Sequence, residues 1–322
     1  MTGGTGFLGG HLTAALRTRG HRVTVLGRDF HALTAALGPD LIPVRADLRD
    51  RAAVIAACAG AEVVYHVGAL SAPWGRAADF HAINIGGTEA VIAGCRHYRV
   101  RRLVYVSSPS VVFSGGDQRM LTEAAPYPRR FASVYSLTKK LGEDRVNAAA
   151  RSGLETVILR PKAMFGPGDR ALLPRLIAAA RAGRLPQIGN GQNEVDLTYV
   201  ENVVHALLLA AAAPAAAGNT YTITNDEHPR LWVVIRRVLA HLGLPTRLRR
   251  VPLPVAWIVA ALLEAIAART SREPTLTRYS AAILARTQTY DIRAAQFDLG
   301  YTPPVPLAAG IARTLRALES TN

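Results

Sequence analysis

The sequence predicts an α/β fold: a doubly wound parallel sheet over residues 1–160, then a smaller C-terminal α+β lobe over 161–322. Three observations carry this expectation. A glycine turn, Thr2-Gly3-Gly4-Thr5-Gly6-Phe7-Leu8-Gly9, opens the chain and runs straight into a helix-like stretch. Short apolar runs then alternate with helical stretches through the first half. From Pro161 onward the alternation loosens, punctuated by Pro167, Pro174 and Pro186.

In the opening turn Gly3, Gly6 and Gly9 carry no side chains, and Thr5, Phe7 and Leu8 lie between them. Backbone N–H groups and the positive end of the following helix can then come close to a pyrophosphate, as in a Rossmann-type site. Glycine turns also precede helices for structural reasons alone, so context decides. Here the run 23–26 (Val-Thr-Val-Leu) follows a helix-length gap that ends at Gly20, as the next parallel strand should. Runs at 41–44, 63–67, 103–106 and 156–159 read as further strands, and 51–59 and 80–97 as helices. Near-continuous apolar strands imply a sheet covered on both faces. In the second half, 172–181, 202–213, 231–242, 255–268 and 307–318 read as helices and 220–224 as a strand, with some exchange of chain between the lobes.

A chain of 322 residues with 49% hydrophobic content is globular. Its net charge of +15 does not mark a nucleic-acid partner. Only Lys139, Lys140 and Lys162 are lysines, the arginines are scattered, and aromatic residues do not interleave with them. A positive field of this kind suits an anionic cofactor. Cys58 and Cys95 lack metal or redox spacing and read as small core residues in a reducing compartment. With no signal-peptide pattern, a cytoplasmic protein is expected. The most apolar window, 252–268, contains Glu264 and falls short of a spanning helix. It reads either as a buried helix of the second lobe or as one that lines a lipid-sized pocket or touches a membrane peripherally.

Two constellations carry chemistry. Tyr135-Ser136-Leu137-Thr138-Lys139 puts a phenol and an ammonium four apart on one helix face. An adjacent ammonium stabilises a phenolate and lowers its pKa toward the working range of a general acid–base. Ser107-Ser108-Pro109-Ser110 closes the 103–106 strand, at the end where open α/β sheets bind ligands. A hydroxyl there can bond a substrate carbonyl, although serine and proline are also ordinary turn residues.

With these motifs in place, the chain resembles an extended short-chain dehydrogenase/reductase over nearly its whole length. It is most similar to the 3β-hydroxysteroid dehydrogenase group, with its sterol-4-carboxylate 3-dehydrogenases and bacterial 2-alkyl-3-oxoalkanoate reductases. Further echoes are Ser107 to Phe113, Arg160-Pro161 with Phe165-Gly166-Pro167-Gly168-Asp169, and Gly189-Asn190-Gly191. The stretch from Val195 to His205, and Ile223-Thr224-Asn225-Asp226-Glu227, add two more.

The resemblance implies Tyr135 as acid–base, Lys139 as the residue that holds the nicotinamide ribose and tunes Tyr135, and Ser108 as the carbonyl-orienting hydroxyl. Asn84 matches the group's helix asparagine near the site. Gly3, Gly6 and Gly9 would cradle the pyrophosphate, Asp47 and Leu48 would meet the adenine, and Val67, Gly68 and Ala69 would flank the cofactor, as would Pro161. Asp196 and Tyr199 would fix the joint between lobes. At the end of the second strand Gly27-Arg28 stands where an acidic residue would favour NAD(H). A guanidinium there favours NADP(H), with Asp29 beside it keeping NAD(H) in play.

The implied reaction interconverts a secondary alcohol and a ketone on a small-molecule lipophilic substrate, and a homodimer is compatible with it. A nucleotide-sugar epimerase or a non-catalytic nucleotide-binding protein are the alternatives. Elimination chemistry is disfavoured, because Pro109 and Ser110 replace the acidic residues that dehydratases place there. The resemblance also predicts a short apolar strand before the glycine turn, at the centre of the sheet, whereas only Met1 precedes Thr2. The expectation is therefore a truncated or misplaced start, with a valine codon read as initiator. A strand-wide gap should then separate the strands at 23–26 and 63–67, unless they close together.

Overall fold

A computed structural model of the chain describes residues 1–30, 41–270 and 272–319. Six parallel strands form its main sheet, numbered here in chain order. They are β1 (Val23–Gly27), β2 (Leu41–Arg45), β3 (Val63–His66), β4 (Arg102–Val106), β5 (Glu155–Pro161) and β6 (Thr220–Ile223). On one side β2 pairs with β1; on the other the order is β3, β4, β5, β6. Every residue of β4 is buried, as is β5 beyond Glu155, which explains their unbroken apolar character.

Strands β1 and β3 do not pair with each other. Thr2 lies between them, bridging Leu26 and His66, and Met1 O accepts from Leu26 N at 2.8 Å. Thr2 N donates to Tyr65 O at 3.0 Å, and the Met1 amino group to Thr24 O at 2.6 Å. The one-strand separation expected from the sequence is present, with Met1 and Thr2 in it.

Helices cover both faces. Leu8, Leu12 and Leu16, spaced by one turn, bury one face of helix Phe7–Thr18 in the core that it shares with helix Val200–Ala212. On the opposite face Val91 and Cys95 of helix Gly87–His97 pack with Val146 and Ala149 of helix Val134–Arg151. Cys58 joins them, and its thiol neighbours that of Cys95. The stretch read as a helix over 80–97 is one continuous helical run that starts at Ala77, α-helical over Ala77–Phe80 and Gly87–His97 with a wider π segment, His81–Gly86, between them.

The division at residue 160 is crossed in both directions. Strand β6 comes from the second half yet completes the main sheet. Gln118–Leu121 comes from the first half yet pairs with Gln288–Tyr290. Within the second half, Asp196 ties the segment after β6 to Gln288–Tyr290, taking His228 Nδ1 at 2.5 Å and Tyr290 N at 2.8 Å.

Helix Val134–Arg151 is seated on the sheet by two contacts. At Gly142 it approaches so closely that a Cβ would lie 2.3 Å from the Tyr105 hydroxyl. One residue on, Glu143 takes two hydrogen bonds from Arg160 of β5, at 2.8 and 2.6 Å, with both side chains buried. The Tyr127 hydroxyl donates to Glu143 at 2.7 Å and closes the group. Removing one member of a buried pair strands the other without a partner. Arg160→Met should therefore destabilise the fold by about 3–5 kcal/mol. Urea denaturation should show a lower midpoint, and Arg160→Met with Glu143→Met together should recover most of the loss.

Candidate active site

The opening turn is shaped by backbone contact. Gly3 has φ +68°, and a Cβ on it would sit 2.6 Å from Gly68. A Cβ on Gly9 would sit 2.0 Å from Gly3 O. Gly6 caps helix Phe7–Thr18 without any side chain bonding its first N–H groups. Those donors face a cavity of about 470 Å³ at the carboxyl ends of the strands. A narrow side-chain-free cradle on a free helix N-terminus fits a dinucleotide pyrophosphate.

Almost every residue expected to hold the cofactor lines this cavity. Gly3, Thr5, Gly6, Phe7, Leu8 and Gly9 form its floor, and Arg28, Asp47 and Leu48 stand at the far end. Val67, Gly68 and Ala69 form one wall, and Tyr135 and Lys139 close the near end. Arg28 is exposed, and Asp47 is held below the usual carboxylate range by its hydrogen bonds to Arg49, with Arg28 adding to the effect.

Three expectations need correction. Pro161 does not line the cavity; it ends β5 paired with Ile223, and Met164, Asp169, Arg170 and Ala171 take that side instead. Asn84 does not line it either. Its Oδ1 accepts from Leu70 N at 2.7 Å, and its Nδ2 donates to Leu70 O at 3.1 Å and Thr138 Oγ1 at 3.0 Å. With its amide committed, Asn84 positions the loop after β3 against the helix of Tyr135. The third concerns Lys139. Its Nζ donates to Val106 O at 2.6 Å and lies 4.1 Å from the Tyr105 ring centre. Burial pushes Lys139 down to about 7, against the pull of Glu143. Burial likewise pushes Tyr135 up to about 12, a rise that the neighbouring Ser108 hydroxyl only moderates. The phenol is thus kept protonated rather than drawn toward phenolate.

Ser108 reaches Tyr135 while its Oγ donates to Ser110 Oγ at 3.0 Å, at the start of a tight helical turn, Pro109–Val112. Ser107, not Ser108, lines the dinucleotide cavity, and its Oγ is buried without a hydrogen-bond partner among the described residues. His66 is buried between Thr2 Oγ1 at 2.7 Å and Thr88 Oγ1 at 3.0 Å. Burial, with Lys139 adding to it, pushes His66 down to about 3, so it is a neutral tie rather than an acid.

A second cavity of about 560 Å³ also reaches Tyr135. Its walls include Trp74, Phe80, Phe113, Phe131, Trp257 and Tyr279. Trp257 belongs to the 252–268 helix that the sequence offered as a pocket lining; the other aromatics come from four further segments and carried no motif. Tyr135 is the side chain shared by both cavities.

Comparison with known proteins agrees with this geometry. Residues 1–255 match the 3-beta hydroxysteroid dehydrogenase/isomerase family. The chain is 38% identical over 321 residues to a 2-alkyl-3-oxoalkanoate reductase of Stenotrophomonas maltophilia, covering 97% of each. It is 35% identical to the mouse (Mus musculus) sterol-4-alpha-carboxylate 3-dehydrogenase, decarboxylating, covering 99% of this chain and 90% of that one. Among solved structures, MoeE5 in complex with UDP-glucose and NAD superposes with a TM-score of 0.76 at 26% identity, covering 99% of this chain and 98% of that one. With the family matched over most of its length and a dinucleotide cradle in place, the chain belongs to the 3-beta hydroxysteroid dehydrogenase/isomerase family and is an NAD(P)-dependent oxidoreductase of the extended short-chain dehydrogenase/reductase type.

Proposed function

We propose that this enzyme reduces the ketone of a bulky lipophilic substrate, of the 2-alkyl-3-oxoalkanoate or 3-oxosteroid kind, to a secondary alcohol. The observation that carries this reading is the position of Tyr135 at the junction of a dinucleotide cradle and an aromatic-walled cavity. The aromatic rings of this wall bind apolar surface well, which supports a substrate with a large apolar part. The names of the two relatives point the same way.

A nicotinamide held in the cradle would supply the hydride for the substrate carbon. The chain's own residues handle the oxygen. Ser108 orients it by hydrogen bond, and Tyr135 donates a proton to it as the carbon accepts the hydride, so that ketone and reduced cofactor become alcohol and oxidised cofactor. Lys139 would hold the cofactor's ribose, and Arg28 would meet the 2′-phosphate of NADP(H). A Tyr135 that is protonated through the neutral range is in the form a reductase needs.

The substrate class is tested by following cofactor oxidation with long-chain 2-alkyl-3-oxoalkanoates, steroid ketones and nucleotide sugars. Turnover of one of the first two classes is expected; turnover of nucleotide sugars alone would refute the reading.

Tyr135→Phe removes only the proton donor. Turnover should fall by about a hundredfold to ten-thousandfold, with cofactor affinity in a binding titration nearly unchanged. Lys139→Ala should lower both.

Cofactor choice rests on Arg28. Arg28→Ala should weaken NADPH by roughly tenfold to a hundredfold, the equivalent of about 1.5–3 kcal/mol, and NADH far less, as read by fluorescence titration. Equal losses would remove Arg28 from the 2′-phosphate site.

The pH dependence follows from the tyrosine. Alcohol oxidation requires the phenolate, which is scarce below about 12, so its rate should climb as pH rises from neutral. Ketone reduction uses the phenol and should not gain over the same range. Initial rates in both directions across the pH range check the sign.

A further inference from the structure

One wall of the aromatic cavity is a single helix face. Tyr279, Ala282 and Arg286 follow at intervals of three and four along helix Arg278–Ala285 and its cap residue, and all three border the cavity. A capping box between Thr277 and Ser280 fixes where this helix starts. The Tyr279 ring packs edge-on against Phe113, with ring centres 5.8 Å apart, and the Tyr279 phenol neighbours Ser110 and Tyr135. Burial raises that phenol above its ordinary range, so it stays a donor. A further wall comes from helix Leu253–Thr270, through Leu253, Trp257 and Glu264. Only 17% of that helix is buried, which overturns its reading as a core helix in favour of a pocket lining.

The charges on these walls do not cancel. Three charged side chains line the cavity: Glu264, Arg278 and Arg286. The first two neutralise each other, with Arg278 Nε and N donating to the Glu264 carboxylate at 2.6 and 2.7 Å. The Arg278 guanidinium also lies 5.3 Å from the Trp257 ring centre. Arg286 is left over. Its Nη1 stands 3.5 Å from Asp117 Oδ2, longer than a good hydrogen bond, and Asp117 Oδ1 already accepts from Thr287 N at 2.8 Å. Its Nε is buried with no hydrogen-bond partner among the described residues. A neutral ligand filling the cavity would strip water from this guanidinium and leave it uncompensated. A carboxylate would replace that water with charge-assisted hydrogen bonds.

We propose that Arg286 is the counter-ion for a carboxylate borne by the substrate, so that the cavity selects lipophilic acids over neutral ketones and esters. Tyr279 stands at the Tyr135 end of the helix face and Arg286 two turns further on, so a polar track leads from the reacting carbonyl to the acid group. The apolar remainder of the molecule meets the aromatic rings. This inference rests on the cavity being the substrate site of the proposed reduction, and within that reading it favours a 2-alkyl-3-oxoalkanoate over a steroid ketone.

Binding can be read without turnover. Of the three tryptophans, Trp74 and Trp257 line the cavity and Trp232 is fully buried in a separate core, so quenching of intrinsic fluorescence reports on the cavity. With dodecanoate and methyl dodecanoate as probes, the wild type should bind the acid at least about tenfold more tightly. Arg286→Gln should weaken dodecanoate by about tenfold to a hundredfold and bring it level with the ester. Arg286→Lys keeps the charge and should keep a preference for the acid. The inference is overturned if the wild type binds acid and ester alike, if it binds neither, or if Arg286→Gln weakens both by the same factor. Should circular dichroism show the glutamine variant misfolded, the lysine variant decides, and loss of the preference there overturns the inference as well. The two readings fail separately. Acid-selective binding without reduction of any ketone would sink the proposed reaction alone. Reduction of a 2-alkyl-3-oxoalkanoate with a KM that Arg286→Gln leaves unchanged would sink the role of Arg286 alone.

Discussion

The site depends on how closely helix Val134–Arg151 rests on the sheet. This helix carries Tyr135 and Lys139, and its height above β4 decides whether Lys139 reaches the end of that strand. Gly142 permits the approach, since any side chain there would collide with Tyr105. The Glu143–Arg160 pair then fixes the helix along its own axis by a two-point bond to β5. With the helix so placed, Lys139 meets Val106 O and the Tyr105 ring, and Tyr135 comes to stand beside Ser108. Replacing any of these contacts with a looser one would move Tyr135 away from the strand ends and the cavity there.

The same depth sets the electrostatics. Burial holds Lys139 near neutrality and keeps Tyr135 protonated, so the two groups part in pKa rather than converge. In the proposed reduction a tyrosine that retains its proton would give it to the developing alkoxide, and Lys139, with its carbonyl bond to Val106, would keep donors for a ribose. His66, close by and also buried, stays neutral and serves only to tie Thr2 to Thr88.

Both halves build the site. The sheet and its glycine turn offer a cradle for an anionic dinucleotide. The aromatic wall takes Trp74, Phe80, Phe113 and Phe131 from the first half and Trp257 and Tyr279 from the second. Chain crossing at β6 and at Gln118–Leu121 stitches the lobes together, so that both cavities share one tyrosine in a fixed relation.

The fold class, the order of the strands' runs, the glycine cradle and the Tyr135–Lys139 pair were legible in the linear chain because each is a local pattern. A turn without Cβ atoms, a period of two or four residues and a strand-end serine all act through near neighbours. Nearly all of the expected cofactor-lining residues fell on one cavity for that reason. What only the folded chain decided involves distance along the sequence. Asn84 looked chemical by position, yet its amide is spent on Leu70 and Thr138. Pro161 sat in a matching motif, yet strand pairing turned it toward β6. Cys58 and Cys95 lacked any pairing signal, yet two helices bring their thiols side by side. Above all, the sequence contained a helix apolar on every side without saying which side the protein would cover. Burial is a property of what packs against a residue, and Ala256, Ala260 and Ala267 became the covered side of Leu253–Thr270 only when the second lobe closed over them.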